Sequence, residues 1–192
     1  MSAIDLIRNP SGETRVCVPI RTQRLLLRPF EPGDVPSITE MLGDPETTRW
    51  IGGVKSATDA AASVMRMKEN FKARGWGTLA VVPQETSPSP CVGYCGVRPL
   101  THTQEVELAF GLSKGYWQRG YATEAARACI DATFRALPLD SIVATVYPDN
   151  SRSIAVLKKL GMREESRVFG VWPEPLALLF RLTRSDWAQR IS

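Results

Sequence analysis

The stretch Glu107–Ala126, ELAFGLSKGYWQRGYATEAA, constrains the fold more than any other part of the chain. It opens with strand alternation, in which Val106, Leu108 and Phe110 interleave with Glu105, Glu107 and Ala109. It then passes through a loop holding Gly111, Gly115 and Gly120 and enters a helix with Ala126, Ile130, Phe134 and Leu137 on one face. A strand feeding a helix through a short loop belongs to a sheet covered by helices. The helix start, Gln118–Thr123 (QRGYAT), also carries chemistry. Its free backbone N–H groups and positive dipole end suit a phosphate. Gly120 allows close backbone approach to an anion, and Arg119 adds a positive charge. A P-loop requires Lys and Ser or Thr after its second glycine, whereas Gly120 is followed by Tyr121 and Ala122. The G-x-G-x-x-G dinucleotide fingerprint is absent as well. The same residues also suit a joint in which the glycines only turn the chain.

The remaining periodicities complete a mixed order of elements. Arg24–Arg28 reads as a strand ending at Pro29. Asp34 is placed to cap a helix through Ile38, Met41 and Leu42 that stops at Gly43. Thr58 is placed to cap a longer helix, with Val64, Met67, Lys68 and Phe71 inward and Gly75 at its end. Trp76–Val82, Cys91–Val97 and Glu105–Leu112 read as strands, with Pro83–Pro90 as a loop. After the helix Ala122–Leu137 come a strand over Ile142–Val146 and a helix from Asn150 or Ser151 to Gly161, with Ile154, Leu157 and Leu160 inward. Met162–Val168 and Leu176–Thr183 read as an antiparallel pair, and Asp186–Arg190 as a last helical turn. This is one α/β (α+β) domain over 18–192 with a polar N-terminal arm over 1–17.

Several classes drop out. Cys91 and Cys95 on one strand would be about 13 Å apart at ~3.3 Å per residue, too far for a disulfide. Cys17 and Cys129 complete the set, and His102 is the single histidine, so no zinc site is expected. Reduced cysteines fit a cytoplasmic protein. Met1–Asp5 lacks the basic start of a signal peptide, and no apolar run approaches the ~20 residues of a membrane span. The net charge of +4 comes without a Lys/Arg block interleaved with aromatics, which argues against nucleic-acid binding. With one histidine, a general base is expected to be a carboxylate.

Three motifs carry a family resemblance. Glu107, Leu108, Phe110 and Leu112, followed by Trp117 and the block Gln118–Ala125, match the pattern E-[IL]-x-[YF]-x-L, Trp, [QG]-[RK]-G-Y-A-T-E-A in register. Asn150-x-x-Ser153 is followed by Lys159-Leu160-Gly161-Met162, like N-x-x-S and K-L-G-F. Thr22–Arg28 resembles T-E-R-L-x-L-R, and Val92–Gly96 resembles the strand I-G-x-x-G. Together, from about Val18 to Trp187, these resemble the GNAT superfamily of N-acetyltransferases, in the RimJ/RimL-like branch of ribosomal-protein N-terminal acetyltransferases.

The resemblance implies a mixed, mostly antiparallel sheet of about seven strands with about four helices and a V-shaped splay between the fourth and fifth strands. The pantetheine arm of acetyl-CoA would lie in that splay against backbone groups of Phe110, Gly111 and Leu112. The diphosphate would sit on Gln118, Arg119, Gly120, Tyr121, Ala122 and Thr123, with Asn150 and Ser153 beside the pantetheine and sulfur. Trp50 (with Asp44 and Arg49) and Trp172 (with Phe169 and Glu174) would form the acceptor pocket, though both segments also read as plain surface loops.

The implied reaction is direct attack of a primary amine on the thioester, with no metal. Glu107 is the candidate base, acting through a water, although Glu105 shares its face and a solvated strand residue would look the same. A tyrosine common in the family is replaced by Leu157, so the candidate acid is Ser153, a residue equally suited to satisfying a backbone amide. The acceptor is a protein N-terminus, such as that of a ribosomal protein, or a small-molecule amine. A non-catalytic acetyl-CoA-binding sensor is the alternative. The C-terminal strand pair offers a dimer edge, so monomer and homodimer both stand.

Overall fold

In the strand Thr78–Pro83, Leu79 and Val81 face one way while Ala80 and Val82 face the other, and all four are buried. A strand apolar on both faces requires helices on both faces of its sheet. The computed structural model describes residues 15–85, 89–100, 103–169 and 176–191, and it meets that requirement.

Among the described residues eight strands form one sheet: β1 (Ile20–Arg21), β2 (Leu25–Arg28), β3 (Thr78–Pro83), β4 (Gly93–Pro99), β5 (Val106–Leu112), β6 (Ser141–Val146), β7 (Arg163–Phe169) and β8 (Leu176–Thr183). Their order is β1-β2-β3-β4-β5-β6-β8-β7. Every pairing is antiparallel except β5 with β6. The helices are α1 (Val35–Gly43), α2 (Pro45–Thr48), α3 (Ala57–Arg74), α4 (Tyr121–Ala136), α5 (Ser151–Lys159) and α6 (Arg184–Ile191). Beyond the expected elements the sheet gains the two-residue β1, and the chain gains the single-turn α2, both too short to carry a period.

One core joins the sheet to α4, α5 and α6 through Ala126, Ile130, Phe134, Leu157 and Trp187. A second, smaller core joins the other face to α1 and α3 through Ile38, Met41, Leu42, Ala60 and Val64. Val16, placed by sequence in the N-terminal arm, is buried in the larger core and donates its N–H to Gly75 O.

Two caps differ from the sequence reading. Ser56, not Thr58, caps α3, its hydroxyl accepting from the Asp59 amide at 3.1 Å. Asp34 precedes α1 but spends its carboxylate on the Arg28 guanidinium, two bonds of 2.8 Å, and on the Glu31 amide. Gly75 ends α3 at φ 75°, as its position suggests. Arg184 of α6 reaches back to the end of α4, donating to the carbonyls of Phe134, Leu137 and Leu139 at 2.8, 2.5 and 2.7 Å. Arg190 does the same for Leu160 and Gly161 after α5.

The four cysteines are free thiols, with Cys91, Cys95 and Cys129 buried and Cys17 exposed. Burial pushes the Cys91 thiol up to about 12, far from a reactive thiolate. No described helix is long and apolar enough to cross a membrane.

Candidate active site

The parallel pair sets the site. Among the described residues β5 and β6 share one registered pairing, Glu107 with Val143, and beyond it their carboxyl ends part. A crevice outside the carboxyl ends of parallel strands is where open α/β sheets bind ligands. Here it is a cavity of about 510 Å³.

Phe110, Gly111 and Leu112 of β5 form one wall. Gly111 fits because a Cβ there would lie 2.9 Å from the Tyr94 ring and 3.0 Å from Met41 Cε. The Leu112 carbonyl is already taken by the Trp117 indole N–H at 2.7 Å. The opposite wall is the amino end of α5. Its cap is Asn150, whose side-chain oxygen accepts from the Ser153 amide at 3.2 Å. Ser153 lines the cavity, and its hydroxyl has no hydrogen-bond partner among the described residues. Leu157 is buried in the larger core and does not line the cavity.

Gln118, Gly120, Tyr121, Ala122 and Thr123 line the end nearest α4. Gly120 enters the helix in the left-handed conformation, φ 80°, with no side-chain cap, and Gln118 has φ 61°. The first amides of α4 therefore remain available for a ligand. Arg119 does not line the cavity; its guanidinium lies 5.2 Å from the centre of the Tyr116 ring. The Tyr121 hydroxyl donates to Glu85, and that hydrogen bond, together with burial, raises its pKa.

A third wall comes from α2 and the turn after it. Trp50 lines the cavity, its ring 6.0 Å from that of Tyr147 and 4.6 Å from the Arg49 guanidinium. Trp172 and Glu174, the other expected acceptor-side residues, lie outside the described residues, as does His102. Asp44 caps α2, accepting from Thr47 N at 2.6 Å, and the hydrogen bonds from Thr47 hold its carboxyl below the usual range.

Glu107 stands apart from this lining. It is 3% exposed and faces the same side of the sheet as Tyr94 and Gly111. Its Oε2 accepts from Arg98 Nε at 2.9 Å. Its Oε1 accepts from the Thr145 hydroxyl and, at 3.3 Å, from the Thr145 amide. The carboxylate thus bridges β4, β5 and β6 where the splay begins. Glu105 pairs with Arg181 at 2.9 Å and lines no part of the cavity.

Sequence reading missed Glu46 of α2, which spans the cavity mouth. It pairs with Lys114 at 2.5 Å and Arg152 at 3.6 Å, and the Lys114 contact holds its carboxyl low. Arg152 also covers the Trp117 ring at 4.5 Å. Arg98 and Thr145 were missed too, since only the strand register brings them to Glu107. Among the described residues no group of three His, Cys, Asp or Glu side chains could hold a metal ion.

Comparison with known proteins agrees with this geometry. The chain is 31% identical over 148 residues to the uncharacterized N-acetyltransferase YnaD of Bacillus subtilis (strain 168), covering 76% of this chain and 83% of that protein. The crystal structure of an acetyltransferase from Agrobacterium tumefaciens str. C58 superposes with a TM-score of 0.74 at 30% identity, covering 88% of this chain and 96% of that one. RimL, a ribosomal alpha-N-protein acetyltransferase solved in complex with coenzyme A, shares the fold with a TM-score of 0.69 at 14% identity, covering 87% of this chain and 98% of its own. The family model described as "Acetyltransferase (GNAT) domain" matches residues 24–163, and the chain therefore belongs to the GNAT acetyltransferases, acyl-CoA-dependent N-acetyltransferases.

Proposed function

We propose that the protein transfers the acetyl group of acetyl-CoA to a primary amine within a ternary complex. One observation carries this reading. The parting of β5 and β6 brings the free-amide start of α4, the open wall Phe110–Gly111 and the Ser153 hydroxyl into a single cavity. The left-handed Gln118 and Gly120 leave the α4 amides facing an anionic group, so the diphosphate of acetyl-CoA fits that end. Phe110 and Gly111 then flank the pantetheine arm, and Asn150 and Ser153 stand beside the thioester sulfur.

In this reading the amine nitrogen attacks the thioester carbonyl, a C–N bond forms and the C–S bond breaks. The amine proton passes through a water to Glu107, whose carboxylate is oriented by Thr145 and charge-balanced by Arg98. The Ser153 hydroxyl donates to the departing sulfur. Trp50, Arg49 and Tyr147 bound the acceptor side, with Trp172 assigned there by resemblance alone. The acceptor is a protein N-terminus or a small-molecule amine.

The test is release of free CoA thiol from acetyl-CoA across a panel of N-terminal peptides, polyamines, aminoglycosides and amino acids, with products weighed by mass spectrometry. Acceptor-dependent release with a product about 42 Da heavier, the mass of an acetyl group replacing hydrogen, is the expected result. Acetyl-CoA binding without release for any acceptor would leave a binding module instead of an enzyme.

A further inference from the structure

We infer that Arg24, Glu124 and Thr22 form a clamp that positions the loop Trp117–Gly120, so that the turn between β1 and β2 sets the affinity for the nucleotide end of acetyl-CoA. The inference rests on the cofactor reading given above.

The loop needs outside support. It holds a non-glycine residue, Gln118, at φ 61° and opens α4 through Gly120 at φ 80° without a side-chain cap. Such conformations persist only when the surroundings over-determine them. The surroundings are supplied from about a hundred residues away in sequence. Arg24 Nη1 donates to the Arg119 carbonyl at 2.8 Å, the carbonyl lying between the two left-handed residues. Arg24 Nε and Nη2 reach Glu124 Oε2 at 2.7 and 2.6 Å. Glu124 Oε1 accepts from the Arg24 amide at 2.9 Å and the Thr22 hydroxyl at 2.6 Å. One guanidinium therefore fixes both the loop and the first turn of the helix it feeds, a use that suits the planar fork of arginine and not a lysine.

The clamp is itself anchored to the sheet. The Gln84 amide donates to Arg24 O at 2.8 Å, the Gln84 side chain donates to Thr22 O at 3.2 Å, and the Leu25 amide donates to Thr22 Oγ1 at 2.9 Å. Charge acts in the same direction. A carboxylate in the first turn of α4 would repel a diphosphate at that helix start, and the contact with Arg24 balances it. Arg24 does not line the cavity, so it acts through the loop and is a positioning residue.

The test compares two ligands that share the pantetheine arm and differ by the whole nucleotide end, the 3′-phosphoadenosine and its diphosphate. Coenzyme A and pantetheine are titrated into the wild type, Arg24→Lys and Glu124→Gln, by calorimetry for the first and ligand-observed NMR for the second. The expected result is a CoA dissociation constant raised about tenfold or more in both variants, equivalent to about 1.4 kcal/mol, with pantetheine affinity unchanged. Equal weakening of both ligands would make the cluster a general support of the fold, and unchanged CoA affinity would remove it from the site. Thr22→Val carries the same comparison should either charged variant fail to fold. A wild type that does not bind CoA would overturn the cofactor reading and this inference together, whereas a wild type that binds beside unaffected variants overturns the inference alone.

Discussion

Arg98 Nε lies 2.9 Å from Glu107 Oε2, so the acid where the splay begins is held by a cation from the neighbouring strand. With Thr145 on its other oxygen, Glu107 has a fixed orientation before any substrate arrives. Glu107→Gln keeps the shape of that bridge and removes the proton acceptor. Its kcat is expected to fall roughly 10²-fold or more, with the acetyl-CoA KM nearly unchanged. Steady-state kinetics on the folded variant checks this. Full turnover would reduce Glu107 to a tie between strands.

Ser153 separates the two ends of the reaction. Asn150 already caps α5, so the serine hydroxyl is not needed for the helix start. Ser153→Ala is expected to lower kcat by about 10–100-fold, the scale of a hydrogen bond to a developing charge, with no loss of melting temperature. An unchanged rate would place protonation of the sulfur elsewhere.

Arg184 closes the end of α4 by serving three carbonyl groups and lying 5.2 Å from the centre of the Phe134 ring. Arg184→Ala removes the guanidinium from all three, and of them the Leu137 carbonyl keeps its bond from the Leu139 amide. A destabilisation of about 3 kcal/mol is expected, lowering the melting temperature by roughly 6–12 °C for a chain of this size. Turnover below the melting range should be unaffected, because the residue lies at the far end of the helix from the cavity.

The clamp also has a pH signature. Burial opposes the charged form of Glu124, but the hydrogen bonds from Thr22 and Arg24 outweigh it and hold the carboxyl below its ordinary 4.5. A folded-state pKa below the unfolded one means that the unfolded chain takes up the proton first as pH falls. The contribution is therefore complete above about pH 4.5 and is lost progressively below it. Denaturant melts between about pH 6 and pH 3 should show a shallower acid loss in Glu124→Gln than in the wild type; parallel curves would contradict the shift.

Much of this was legible in the residues themselves. Val64 and Phe71 are buried with Met67 and Lys68 half-buried between them, Ala126, Ile130 and Phe134 are buried as their spacing requires, and the glycine-rich entry to α4 lies where the alternation of β5 stops. The parting of β5 from β6 accords with the splay implied by resemblance. What escaped was long-range. Nothing local marks Arg98 and Thr145 as partners of Glu107, because strand register alone brings them together. Glu46 reaches Lys114 and Arg152 across the cavity mouth from a single helical turn too short to show a period. The cap of α3 fell on Ser56 rather than Thr58 because both residue types suit an N-cap and only the backbone path decides between them.

The decisive measurement is a thermal-shift titration with acetyl-CoA, with free CoA and ATP alongside. Occupancy at about 100 times the dissociation constant adds about 2.7 kcal/mol, which for a chain of this size raises the melting temperature by roughly 5–10 °C. Stabilisation by acetyl-CoA and CoA with little from ATP is the expected result. No shift with acetyl-CoA at millimolar concentration would contradict the cofactor assignment and return the start of α4 to a plain turn.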